Sequence, residues 1–310
     1  MKIKYFDVPI LLIVYNRPST TRRVFSAIRN VKPSKLFIVA DGPKHKIEKD
    51  SKKCDETRKI TEAINWKCDV KRLYRNRNLG CKHGVVSAIN WFFDNVDEGI
   101  LLEDDCLPGR DFFVFCEQML NKYRNDNVIM HIGGDNYQNA RHKKSNSYYF
   151  SKYSQTWGWA TWKRAWKEFD PEMKDWPEVR KQNKIGYIFD SMLERYYWYS
   201  IFDLVSKKIY FDVWDYQWQY ACWKNGALSI LPGVNLIENI GFGKNATHTM
   251  KDSLKLRRNI EKMSFPLLVP DKEIRDVEKD KVDTKNVFGV NVPTVLFLKK
   301  LYFLNKLGIG

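Results

Sequence analysis

The chain has no CxxC pair, no internal repeat, no low-complexity block and no apolar run near the roughly 18 residues that a membrane-spanning helix needs. Its six cysteines (Cys54, Cys68, Cys81, Cys106, Cys116 and Cys222) are scattered, which argues against a disulfide framework or a zinc site and reads as reduced thiols in a cytosolic protein. The first residues are expected to form a buried strand rather than a secretory signal. Lys2 and Lys4 precede the apolar segment Val8 to Tyr15, but Asp7 interrupts the approach and Asn16-Arg17-Pro18 replaces a small-residue cleavage site. No RNP, zinc-finger or basic-helix motif is present, so nucleic acid is not the expected partner.

What is there suits a folded protein with an anionic partner. At 310 residues, with 44% hydrophobic and 15% aromatic content, the chain can bury one large core with additions, or two small ones. The 53 basic and 37 acidic residues leave a formal charge of +16, which suits phosphorylated substrates or an acidic membrane face.

The first half alternates short apolar runs with helical patterns, the mark of a parallel sheet covered by helices. Pro9 to Tyr15 reads as a strand buried on both faces, and a helix follows the Asn16-Arg17-Pro18 turn to about Arg29. Lys35 to Ala40 and Asp69 to Tyr74 read as further strands, with a charged loop and solvated helix over residues 44–63 between them. A helix from about Lys82 to Asp94 leads into the strand ending at Glu103, and another runs from Asp111 to about Tyr123. Polar groups thus gather at the carboxyl ends of four strands, the edge where open parallel sheets bind ligands. The second half concentrates tryptophan between Trp157 and Trp223 and is expected to pack mixed strands and helices beside the first.

Glu103-Asp104-Asp105 closes the apolar run Gly99 to Leu102. Three adjacent carboxylates repel one another unless something positive offsets them, and hard cations such as Mg²⁺ or Mn²⁺ do so through oxygen ligands. An acidic edge strand would read the same way from the tripeptide alone.

Three ordered blocks resemble a GT-A-fold glycosyltransferase, most similar to the N-acetylglucosaminyltransferase I group and related bacterial sugar transferases. They are Gly99 to Asp105 with Asp111-Phe112-Phe113; Trp157-Gly158-Trp159-Ala160-Thr161-Trp162 with Trp166; and Trp214-Asp215 with Trp218, followed by Gly243 to His248. The blocks span roughly residues 8 to 250, with a single acid, Asp215, where the family has adjacent acids. The resemblance implies an α/β GT-A fold with a mixed central sheet flanked by helices. Residues 1–125 would form the nucleotide-binding half, 126–250 the acceptor-side half, and 251–310 a basic, helical C-terminal extension.

It further implies inverting, metal-dependent transfer from a nucleotide diphosphate sugar to a glycan hydroxyl, with UDP and N-acetylglucosamine favoured, in bacterial surface-polysaccharide assembly. Asp105 would hold Mn²⁺ or Mg²⁺, while Glu103 and Asp104 would accept hydrogen bonds from donor sugar and ribose hydroxyls. Asp215 is the candidate general base, shielded by Trp214 and Trp218, although it also suits a helix cap. Asn16, Arg17 and Asp41 sit where uracil and ribose would rest, although Asp-Gly-Pro is also a turn sequence. Arg75, Arg77 and Gly80 are candidate phosphate contacts, and His248 lies in a loop able to close over the diphosphate. Trp157, Trp159 and Trp162 offer aromatic faces to a sugar acceptor, or a core; one is expected to line the acceptor cleft, with Trp157 and Trp159 the candidates.

Residues 286–310 carry Lys299, Lys300 and Lys306, no acid, and more apolar positions than one core face requires. That suits an interfacial helix on an anionic leaflet near a lipid-linked acceptor, or a helix docked on the domain's own core. Without the family's N-terminal anchor, a bacterial cytoplasmic setting is expected, at the inner face of the membrane. Two rival readings remain: a noncatalytic carbohydrate-binding protein that uses the tryptophans, and a sugar nucleotidyltransferase. Against the second, Tyr15-Asn16-Arg17-Pro18-Ser19 has no glycine where that class carries its phosphate loop.

Overall fold

The computed structural model of the protein describes residues 6–44, 47–138, 146–209, 212–241 and 257–306. The first half runs β1 (Ile10–Val14), α1 (Pro18–Val31), β2 (Lys35–Ala40), α2 (Glu48–Glu62), β3 (Asp69–Tyr74), α3 (Cys81–Phe93), β4 (Glu98–Glu103), β5 (Cys106–Pro108) and α4 (Arg110–Lys122). The second runs β6 (Ile129–Gly133), β7 (Tyr148–Ser151), β8 (Trp159–Trp162), α5 (Lys163–Trp166), α6 (Trp176–Lys181), α7 (Met192–Ser206), α8 (Asp215–Lys224), β9 (Leu228–Pro232) and β10 (Ile237–Asn239). Two further helices, α9 (Val277–Asn286) and α10 (Val292–Lys306), follow.

Alternation along β1 builds two cores at once. Ile10, Leu12 and Val14 pack with Leu36 and Ile38 of β2 against Val24, Phe25 and Ile28 of α1. Leu11 joins Phe37 and Val39 on the opposite face, against Val85, Ile89 and Phe92 of α3. A strand buried on both faces has to be apolar at every position, which is why β1 reads Ile-Leu-Leu-Ile-Val. Each such side chain contributes roughly 1.5–3 kcal/mol on burial. Helix α1 begins with Pro18, whose missing N–H costs nothing there, and buries the stripe Thr21, Val24, Phe25 and Ile28.

The main sheet has eight strands in the order β3-β2-β1-β4-β8-β6-β9-β7. β3, β2, β1 and β4 are parallel, β8 is antiparallel to β4 and β6, β9 is parallel to β6, and β7 is antiparallel to β9. β5 and β10 form a separate antiparallel pair. This is the mixed α/β architecture expected from the sequence, with β8 as the seam between the halves. At Gly99 of β4 a side chain would collide with the Phe92 ring and the Pro9 carbonyl, so the close passage of α3 over the strand needs glycine there.

The C-terminal helices are packed on the second half of the chain. Asp276 caps α9 by accepting from the Lys279 N–H, and its own N–H donates to the Phe150 carbonyl. Two aspartates of α9 are buried: Asp280 accepts from the Ser151 hydroxyl (2.6 Å), and Asp283 from the side-chain amides of Gln138 (2.9 Å) and Gln155 (3.4 Å). This mixed-charge helix of the C-terminal extension therefore fastens itself to β7 through its acids. α10 buries Val295 and Leu298 in an aromatic cluster with Trp198, Phe202 and Trp223. Among the described residues no helix is long and apolar enough to cross a membrane.

Burial lifts the Asp280 carboxyl to about 6, against opposing pulls from Ser151, Lys152 and Arg275. A carboxyl raised on folding stabilises the fold fully below its unfolded pKa, near 4, and that contribution is lost as pH rises through about 6. Asp280→Asn keeps an acceptor for Ser151 without the buried charge. Its melting temperature should therefore gain on the parent's by a few degrees as pH rises from about 4 to 7.5; a constant difference would mean Asp280 does not titrate on folding.

Candidate active site

Parallel pairing sets the site. β1 and β4 are neighbours with Ile13 opposite Glu103, so the residues leaving both strands emerge side by side at the carboxyl edge of the sheet. Arg17, leaving β1, reaches across to Asp105 (2.5 Å) and Asp104 (3.4 Å), and the second Asp104 oxygen accepts from the Tyr15 N–H (3.1 Å). One guanidinium faces three carboxylates. Burial, then the charge of Asp105, pushes Glu103 up to about 8 and Asp104 up to about 7, with Arg17 pulling both back only in part.

Other elements close on this cluster. The Asp105 carbonyl accepts from the Ile240 N–H (2.8 Å) just past β10, and Gly241 lies so close that any side chain there would overlap the Asp105 carboxylate. Asn239 holds that turn by accepting from the Gly241 N–H (2.8 Å). Across the site, Asp212 reaches the start of α3 and accepts from the backbone N–H groups of Cys81 (2.8 Å) and Lys82 (3.0 Å). It serves as a helix cap delivered from 131 residues away, and the left-handed Gly80 (φ 78°) leaves room for it.

Asp215 opens α8, with one oxygen accepting from the Tyr216 N–H (3.0 Å). Its charge acts on Glu103 and, with those of Glu103, Asp212 and Asp105, on the Cys81 thiol, which burial has already pushed up. Asp215 thus stands at the start of the helix, within electrostatic reach of Glu103. Trp214 and Trp218 are both buried, and Asp215 between them in the chain is half-buried.

The second and third strands end at a different network. Asp41 is buried and accepts from the N–H groups of Gly42 (3.0 Å) and Leu79 (3.0 and 3.2 Å) and from the Asn78 amide (2.9 Å). Burial nonetheless holds its pKa above the ordinary carboxylate range. Asp41 therefore ties the loop after β3 to the end of β2. Arg75 turns inward, donating to the Gly84 carbonyl (3.1 Å) and the Ser87 hydroxyl (2.7 Å), so the expected phosphate contact is revised to an internal brace. Arg77 is exposed and lines a cleft of about 750 Å³ with Lys44, Ser51, Asn76 and Asn78. Asn16 donates to Asp50 of α2, which also accepts from the Tyr15 hydroxyl (2.5 Å) and the Lys44 N–H (2.7 Å). A cleft of about 540 Å³ between α1 and α2, lined by Arg22, Arg29 and Lys59 among others, shares no residue with the acidic cluster.

The tryptophan expectation needs correction at Trp159. It is 2% exposed and stacked between His131 and Trp214, so no face remains for a sugar. Trp162 is equally buried and donates to the Leu120 carbonyl. Trp157 is half-buried, edge-on to Tyr137, and is the one of the three with open surface. His248 lies outside the described residues. The sequence reading missed Asp212 and Asp50, whose partners are 130 and 34 residues away and leave no local pattern.

Among the described residues no group of three His, Cys, Asp or Glu side chains is arranged to hold a metal ion. Asp105 nonetheless offers carboxylate oxygens, the donors that Mg²⁺ and Mn²⁺ take, within an excess of negative charge that Arg17 does not balance. The residue chemistry thus fits a dication at Asp105, with the guanidinium as competitor for the same oxygen.

No family model matches the chain, and no curated protein matches it. Among solved structures it is similar to S. aureus TarS residues 1–349, at 9% identity and a TM-score of 0.40 over 74% of this chain and 59% of that one. It is also similar to the glycosyltransferase GlyE of Streptococcus pneumoniae (8% identity, TM-score 0.33, 72% of this chain and 45% of that one). HddC from Yersinia pseudotuberculosis matches at 9% identity and a TM-score of 0.32, over 51% of this chain and 77% of that one. The chain therefore spans about three-fifths of the TarS chain and under half of the GlyE chain, and similarity of this degree assigns no activity.

Proposed function

We propose that the protein is an inverting, metal-dependent GT-A glycosyltransferase that moves a sugar from a nucleotide diphosphate donor to a glycan hydroxyl, in bacterial surface-polysaccharide assembly. The observation that carries this reading is the meeting of Arg17 with Glu103, Asp104 and Asp105 at the carboxyl edge of the sheet, where the charge of Asp215 is also felt. Such a site offers both a seat for a phosphate-bound cation and a carboxylate near an acceptor.

In this reading Asp105 holds Mn²⁺ or Mg²⁺, which would neutralise charge developing on the departing diphosphate. Arg17 exchanges its carboxylate partners for donor phosphate oxygens, a contact its planar donors suit. Glu103 and Asp104 accept from sugar and ribose hydroxyls. The acceptor oxygen bonds to the anomeric carbon from the face opposite the diphosphate, whose bond breaks with its electron pair, while Asp215 takes the hydroxyl proton. Asn16 and Asp41 are assigned to the uracil and ribose and the exposed Arg77 to a phosphate, with UDP the preferred nucleotide and N-acetylglucosamine the leading sugar. Trp157 is the acceptor-side aromatic.

A thermal-shift panel of UDP, GDP, CMP and dTDP, each with and without Mn²⁺, tests the donor. Ligand at about 100 times its dissociation constant adds roughly 2.7 kcal/mol, so UDP with Mn²⁺ should raise the melting temperature by several degrees. No shift with any nucleotide would sink the proposal.

Two substitutions separate binding from chemistry. Asp105→Ala should abolish the Mn²⁺-dependent part of the UDP shift, whereas Asp215→Asn should keep that shift and lose transfer by about 10²-fold or more. Parental transfer in either variant would strip that residue of its role. Gly241→Ala, which must displace Asp105, should weaken the Mn²⁺-dependent shift while leaving apo stability within about 2 kcal/mol of the parent. An unchanged UDP–Mn²⁺ response in that variant would mean the position of Asp105 is immaterial.

A further inference from the structure

Helix α10 is half docked. Val295 and Leu298 are buried against the α7 cluster, but Val292 (56% exposed), Leu296 (60%) and Phe297 (57%) face outward, and Lys299 and Lys300 are exposed among them. No acid occurs anywhere in the helix. The outward surface continues onto α7, where the Lys299 ammonium lies 4.5 Å from the ring centre of Tyr196, itself 45% exposed, and Met192 stands one turn earlier on the same face. Isolated exposed apolar residues need no explanation, but five on two touching helices, threaded with lysines, form a patch.

We infer that this α7–α10 face is a docking surface for an anionic lipid bilayer. Charge complementarity selects the occupant. The apolar side chains enter the headgroup boundary while Lys299 and Lys300 remain at the phosphate level, their stems lying along apolar surface. A second copy of the chain is disfavoured, because a two-fold contact through this patch would place lysine against lysine in a molecule of net charge +16. The lipid assignment stands independently of the catalytic reading, since none of these residues touches the acidic cluster.

The test is co-sedimentation of the full chain with phosphatidylcholine vesicles, with and without phosphatidylglycerol. Binding is expected only with the anionic lipid, and it should weaken as salt rises. Lys299→Ala and Lys300→Ala should each lower partitioning about fivefold, and Leu296→Glu with Phe297→Glu by more than about tenfold. Unchanged circular dichroism and melting would establish that the variants fold. Absence of binding, equal binding to both lipids, or binding unaffected in folded variants would each overturn the inference. So would a concentration-dependent dimer that the Leu296→Glu, Phe297→Glu variant abolishes.

Discussion

The register between β1 and β4 is the constraint on which the site depends. Two parallel strands that stop level with each other deliver Arg17 from one and three acids from the other to the same few ångströms. A shift of one residue would turn the side chains of β1 to the opposite core and carry Arg17 away from Asp105. The apolar completeness of β1 and β4 therefore does more than fill the interior: it fixes the register that brings four charged groups together. The acids cost the fold stability, since burial and mutual repulsion lift Glu103 and Asp104 far above ordinary carboxylates. Arg17 offsets part of that cost, and a bound cation would offset more.

Much of the first half was legible because its signals are local. A strand buried on both faces is a short continuous apolar run, and Lys35 to Ala40 and Asp69 to Tyr74 form β2 and β3 with the bounds read from sequence. The helices before and after the acids begin and end within a residue of the periodic pattern. Helix α2 was less visible for a definite reason. Its buried stripe is Asp50, Cys54, Thr57 and Thr61, spaced as a helix face but built largely from polar side chains, so no hydrophobic period announces it. Asp50 in that stripe then holds Tyr15 and Asn16, linking a helix that looked merely solvated to the edge of the site.

The second half was legible in composition but not in role. Three of its tryptophans suggested a sugar platform, yet two of them, Trp159 and Trp162, are in the interior with Trp176, Trp198, Trp218 and Trp223. A tryptophan read from sequence does not disclose whether its ring faces a ligand or another ring, since both uses reward a large flat apolar surface. The same ambiguity runs the other way for α9. Its charges look like a solvated surface, but Asp280 and Asp283 point inward and find hydroxyl and amide donors there. Long-range partners decide such cases, and a single sequence carries no record of them.

One of those buried contacts governs how rigidly Asp215 is presented. Trp218, one turn along α8, can only donate through its indole N–H, and it does so to Nδ1 of His131 on β6 (3.1 Å). Nδ1 therefore bears a lone pair, and the ring's proton resides on Nε2, which donates to the Gln155 carbonyl (2.8 Å). The imidazole is thus neutral in a single tautomer, and burial holds its pKa down at about 3. Since β6 pairs with β8 and β8 with β4, the start of α8 is referenced through three strands to the strand that carries the acids. Because His131 is held neutral well above pH 3, this clamp remains constant through neutral pH. A pH dependence of the proposed reaction is then expected from the carboxylates at the sheet edge and not from this imidazole.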